Sequence, residues 1–79
     1  MSTGLRSIEQ PLQLPKLAYE ALRDSILGGH LKPGDIVNEK ALAKELVISR
    51  TPVREALLEL ASQGLVEILP RSLSVWELK

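Results

Sequence analysis

Two helical stripes joined by only three residues constrain this chain more than any other feature of its sequence. Leu42, Ala43 and Leu46 face one way on a segment running from about Glu39 to Leu46. Val53, Ala56, Leu57, Leu60 and Ala61 form the inner stripe of a longer segment ending at Gln63 and Gly64. Only Val47, Ile48 and Ser49 stand between them. So short a connection makes the two helices meet at a corner, the helix-turn-helix arrangement. Taken alone the pattern is unspecific, because many small helical domains contain such a corner.

The punctuation around the corner is strong. A first helix is expected from about Leu14 to Leu27, with Ala18, Leu22 and Ile26 on one side and Glu20, Arg23 and Asp24 on the other. Pro15 is expected in its first turn, where a missing N–H costs nothing. Gly28 and Gly29 supply the left-handed stop. Pro33-Gly34 reads as a type II turn, and Ile36-Val37 as a β-prone pair at a sheet edge. Asn38 is a good N-cap, and Glu39 behind it suits the positive end of the helix dipole. Ser49 or Thr51 is expected to cap the next helix, with Pro52 in its first turn. The tail then changes period. Leu65 to Leu69 reads as a strand, Pro70-Arg71-Ser72 as a turn, and Leu73 to Trp76 as a second strand. The fold class is therefore mainly α with a small β-hairpin: three helices plus a wing. Residues 1–13 read as a flexible arm and 14–79 as the domain.

Composition excludes several other classes. A chain of 79 residues is one domain at most, and at about this size roughly 60% of the unfolded surface becomes buried. That leaves little chain for a water-excluding cleft, so an independent enzyme is not expected. There is no cysteine, hence no disulfide framework and no thiolate zinc site. A single histidine, His30, makes a metal site improbable, and no cofactor is expected. Phe is absent and the aromatics are Tyr19 and Trp76, so the core is aliphatic and both rings are expected to pack rather than stack on bases. No apolar run approaches the ~18 residues of a membrane span, and the N-terminus lacks a signal peptide's apolar stretch. No membrane partner is expected, and a reducing cytoplasm is the simplest home.

Net charge is zero, which by itself does not imply nucleic acid. The distribution is more informative. From Asn38 to Arg54 four bases face two acids, while the rest of the chain carries six bases and eight acids. Ser49-Arg50-Thr51-Pro52-Val53-Arg54 places hydroxyls and guanidinium groups at the start of the second corner helix. Such an N-terminus suits the major groove: its free N–H groups and dipole attract phosphate, and arginine bonds guanine O6 and N7 bidentately. Two readings fit these residues. Ser49 and Thr51 serve as caps and Arg50 and Arg54 pair with Glu55 or Glu59, or the group meets DNA. Arg50 and Arg54 share a face and neither has an acid at i+4, which favours an external anion by a few tenths of a kcal/mol. Arg71, at the hairpin turn, is equally well an ordinary turn arginine or a groove contact. Leu58 lies off the inner stripe and is expected at the surface or against a further domain or subunit.

Tyr19 to Gly29, Leu31-Lys32-Pro33-Gly34-Asp35, Asn38-Glu39, Leu42-Ala43 and Leu46 resemble, in order, the start of GntR-family repressors. Ser49 to Leu57, closing in Gln63-Gly64-Leu65-Val66, resembles that family's recognition helix, and Thr51 to Leu57 is most similar to its FadR-type subfamily. The resemblance spans about residues 14 to 76. It implies a winged helix-turn-helix that binds double-stranded operator DNA as a homodimer in the full-length protein. By position, Arg50 and Arg54 match base-reading arginines, Ser49 and Thr51 match polar contacts at the helix start, and Lys40 a basic residue on the preceding helix. Arg71 lies in the wing, which in the family enters the minor groove. The FadR type continues into a helical domain that binds a small effector and dimerises; these 79 residues do not contain it. Two positions depart from the family pattern. Val47 stands where Gly is common, so the turn is expected to take a different path. The wing tip has no Gly. A protein-interaction module on the same fold, without DNA binding, is the alternative.

Overall fold

The computed structural model describes residues 9–79, with side chains from residue 13 onward. The elements run α1 (Glu9–Leu27), β1 (Ile36–Asn38), α2 (Glu39–Leu46), α3 (Arg50–Ser62), β2 (Val66–Ile68) and β3 (Val75–Leu78). The three strands form one antiparallel sheet in the order β1-β3-β2. Three helices and a small antiparallel sheet make a winged helix.

Helix α1 starts earlier than its apolar stripe. It begins at Glu9 rather than Leu14, so Pro15 lies inside the helix and not in its first turn. The part of the expected arm from residue 9 to 13 is helical, and residues 1–8 lie outside the described residues. Pro11 now occupies the first turn, where the N–H groups have no helical partner anyway. Pro15 removes one internal hydrogen bond. A 3.6-residue stripe reports the packed length of a helix, and here the helix extends a further turn beyond it.

The two corner helices end and begin where the sequence places them. Asn38 accepts from the backbone N–H groups of Lys40 and Ala41 with its Oδ1, at 2.8 and 3.1 Å. Gly34, at φ +92°, closes the Pro33-Gly34 turn, and Asp35 N donates to Lys32 O at 2.9 Å. That φ is the left-handed region a type II turn needs at this position. Val47 corrects the expectation of a different path. It adopts the left-handed conformation itself, φ 59° and ψ 47°. Its N–H donates to Lys44 O, and that of Ile48 to Ala43 O, so the helix end is closed as a Gly would close it. The hydrogen bonds outweigh the β-branched side chain's resistance, and that side chain stays in solvent at 86% exposure.

The hairpin also shifts. The second strand runs from Val75 to Leu78 and not from Leu73 to Trp76, with Ile68 opposite Trp76 and Val66 opposite Leu78. The connecting loop is thus longer than a three-residue turn. Serines stabilise it in place of glycine: Ser72 N donates to Leu69 O at 3.1 Å and Ser74 N to Ser72 Oγ at 3.3 Å. Apolar alternation continues through both registers here, and pairing with β1 selects the later one.

Helix α3 is the centre of the packing and touches α1, α2 and β2. Val53, Leu57 and Leu60 are fully buried against Ala18 and Leu22 of α1, Val37 of β1 and Trp76 of β3. Burying each large apolar side chain stabilises by about 1.5–3 kcal/mol. The core is aliphatic apart from Trp76, as composition implies. Tyr19 is half-buried, and its hydroxyl donates to Gln63 Oε1 at 2.9 Å, tying α1 to the end of α3. Leu58 lies on the outer face, half exposed. Among the described residues no helix is long and apolar enough to cross a membrane.

Candidate nucleic-acid interface

The start of α3 is left open by its own residues. Ser49 is the N-cap in an extended conformation, yet its side chain makes no capping hydrogen bond. There is no acid in the first turn. Ser49, Arg50 and Thr51 are all exposed. The first N–H groups of a helix need an acceptor, and here neither a side-chain cap nor a first-turn carboxylate supplies one. An anion placed there would find those groups, the helix dipole and two hydroxyls together.

The structure brings Arg50 and Arg54 to one face, as their spacing requires, but it corrects the argument that they lack an acid. Glu39, the first residue of α2, is 2% exposed and sits between them. Arg54 Nη1 donates to Glu39 Oε2 at 3.1 Å, and Arg50 Nη2 lies 3.6 Å from Glu39 Oε1. Trp76 Nε1 donates to Glu39 Oε2 at 2.8 Å. The like charge of the arginines is therefore met from the neighbouring helix, and no external anion is needed to account for it. A buried indole N–H needs a partner, and a buried carboxylate needs several. Each satisfies the other here.

Arg54 differs from Arg50 in a second way. Its Nη1 also donates to Leu73 O in the hairpin loop, at 2.6 Å. Glu39 N donates to Ser74 O at 2.9 Å. The loop that forms the wing is thus fastened to the start of α2 and the second turn of α3. Arg54 side-chain exposure is 41% against 54% for Arg50. Arg54 is partly a strut, while Arg50 reaches further into solvent.

Lys40 is exposed in the first turn of α2, beside Glu39. A cation there gains nothing from the helix dipole, whose positive end it shares. Arg71 stands exposed in the loop between β2 and β3. Ser49, Arg50, Thr51 and Arg54 thus form one group, Lys40 adjoins it through α2, and Arg71 belongs to the wing. Sequence reasoning missed Glu39, which it read only as a dipole partner. The signal was present: two arginines one turn apart, neither with an acid at i+4 on their own helix, point to a carboxylate from elsewhere in the fold or from a ligand. Among the described residues no group of three or more His, Asp or Glu side chains is placed to hold a metal ion.

Comparison with known proteins places this geometry. The family described as bacterial regulatory proteins, gntR family, matches residues 15–73. The gluconate operon transcriptional repressor of Bacillus subtilis is 43% identical over 53 residues, covering 67% of this chain and 21% of the repressor. An HTH-type transcriptional regulator from an unstable DNA locus of Streptomyces ambofaciens is 45% identical over 53 residues, 67% of this chain and 22% of that protein. Among solved structures, E. coli McbR/YncC superposes with a TM-score of 0.75 at 35% identity, over 82% of this chain and 30% of that one. The chain therefore spans about a fifth of the length of these curated relatives.

Proposed function

The chain belongs to the gntR family of bacterial regulatory proteins, as a winged helix-turn-helix DNA-binding domain, and we propose that it reads operator DNA with the start of α3 in the major groove. The observation that carries this is the open N-terminus of α3, with Ser49, Arg50 and Thr51 exposed and uncapped beside the wing. Arg50 and the free edge of Arg54 bond base edges. Ser49, Thr51 and Lys40 bond phosphates and fix register. Arg71 carries the wing toward the minor groove. In a full-length context of the FadR type, the domain acts as part of a cytoplasmic homodimer without catalytic activity, and a small effector would bind that type's C-terminal domain.

The residue roles separate in a binding experiment. Arg50→Ala costs about 1–3 kcal/mol on the selected operator and relaxes preference at one base pair, whereas Lys40→Ala weakens all duplexes alike. An Arg50→Ala variant with unchanged affinity and base preference overturns the assignment. The other reading, a module that docks proteins and not DNA, rests on the exposed Leu58 and Leu73, which rim an open groove between α3 and the hairpin. It predicts no binding to any duplex even at low salt.

A further inference from the structure

We propose that Glu39 is a positioning residue for sequence readout, holding Arg54 firmly, and Arg50 more loosely, in the geometry that distinguishes one base pair from another. The inference rests on the DNA-reading role of α3 given above. A long arginine side chain on an exposed helix face loses rotamer freedom when it binds, and base discrimination requires a planar fork held in one orientation. Glu39 supplies that orientation beforehand. It is 2% exposed, and its Oε2 receives both Arg54 Nη1 and Trp76 Nε1, at 3.1 and 2.8 Å. Its Oε1 faces Arg50 Nη2 at 3.6 Å. The carboxylate cannot swing away with the arginines, because the buried indole and its own place at the start of α2 fix it.

The contacts leave part of each fork available. Arg54 has Nη1 committed to Glu39 and Leu73 O, so its remaining N–H groups point from a fixed frame. Arg50 is held only loosely from one side. Glu39 also places a negative charge behind the contact surface. That charge offsets part of the arginines' attraction for phosphate, which is independent of sequence, and leaves directional hydrogen bonds to bases as the larger share of binding. Glu39 therefore raises the ratio of specific to non-specific affinity without touching DNA.

Glu39→Gln tests this, because the amide keeps one oxygen acceptor for the indole and for Arg54, while it loses the charge and turns N–H donors, in place of the Oε1 acceptor, toward Arg50. Affinity is measured for a selected operator duplex and for a random duplex across a salt series. The expected result is a fall of about tenfold or more in the ratio of the two affinities, with random-duplex affinity equal to or above wild type and its salt slope no shallower. A purely structural role would leave that ratio unchanged, and an unchanged ratio in a folded variant overturns the positioning role while leaving DNA reading intact. Wild-type protein that binds neither duplex overturns the underlying reading as well. Should Glu39→Gln not fold, guanidinium NMR of the wild-type protein decides the matter. Slow, resolved Nη signals for Arg54 and averaged ones for Arg50 are expected in the free protein, and averaged Arg54 signals overturn the proposal.

Discussion

Replacing Arg54 with alanine distinguishes a side chain that only awaits DNA from one that also holds the domain together. A solvent-facing arginine of the first kind would change stability by no more than about 0.5 kcal/mol. In this structure Arg54 bonds the buried Glu39 at 3.1 Å and the loop carbonyl of Leu73 at 2.6 Å. Removing one partner of a fully buried ion pair costs about 3–5 kcal/mol. That figure is too large here, because the arginine is 41% exposed and Glu39 keeps both Trp76 and Arg50. Solvent screening reduces the ionic part to about 1 kcal/mol. The lost bond to Leu73 O adds about 0.5–1 kcal/mol. The sum, about 1.5–2 kcal/mol, lowers Tm by about 10 °C for a domain of this size. Arg50→Ala is the control: its ion-pair contact is 3.6 Å long and it is 54% exposed, so its cost stays within about 0.5 kcal/mol. Urea unfolding followed by helical circular dichroism and by emission from Trp76, the only tryptophan, measures both. Equal urea midpoints for Arg54→Ala and wild type would refute the strut.

Two further substitutions test how the corner is built. Val47→Gly removes a β-branched residue from φ 59° at a site where the side chain is 86% exposed. Relief of left-handed strain, about 1–3 kcal/mol, outweighs the extra unfolded-state freedom of glycine, about 0.4–1 kcal/mol. A higher urea midpoint is expected, and a lower one would show that Val47 is not strained. Asn38→Ala removes the acceptor for two N–H groups at the start of α2 and costs about 1 kcal/mol. Its salt slope on DNA stays that of wild type, because no charge is lost.

Much of this fold is legible in the sequence because its signals are local. Asn38 caps α2, Gly34 turns the chain into β1, Gln63 and Gly64 end α3, and Val53, Leu57 and Leu60 face inward, all as the sequence alone indicates. What the sequence did not reveal depends on partners distant in the chain. The hairpin register is chosen by β1, through Val37 opposite Trp76, and Leu73 to Trp76 alternates well enough to suggest an earlier strand. The start of α1 at Glu9 precedes its apolar stripe, and Pro15, which lies inside the helix, reads in the sequence as a first-turn proline. Val47 enters the left-handed region because backbone hydrogen bonds at the helix end outweigh its own preference. At the site, Ser49, Arg50, Thr51 and Arg54 cluster as their spacing requires. Glu39 was hidden because a carboxylate at the first position of a helix has a sufficient local explanation. Its long-range one needs Trp76, which is 37 residues away.

The measurement closest to the central claim is fluorescence anisotropy of a labelled duplex, titrated with the protein from low to physiological salt. An open, basic α3 N-terminus that grips phosphates predicts a linear fall of log K with log[salt], of slope about −0.9 per phosphate neutralised. Lys40→Ala should make that slope shallower by about one such unit. Folded protein that leaves the anisotropy unchanged at the lowest salt would contradict the claim and favour the protein-docking module.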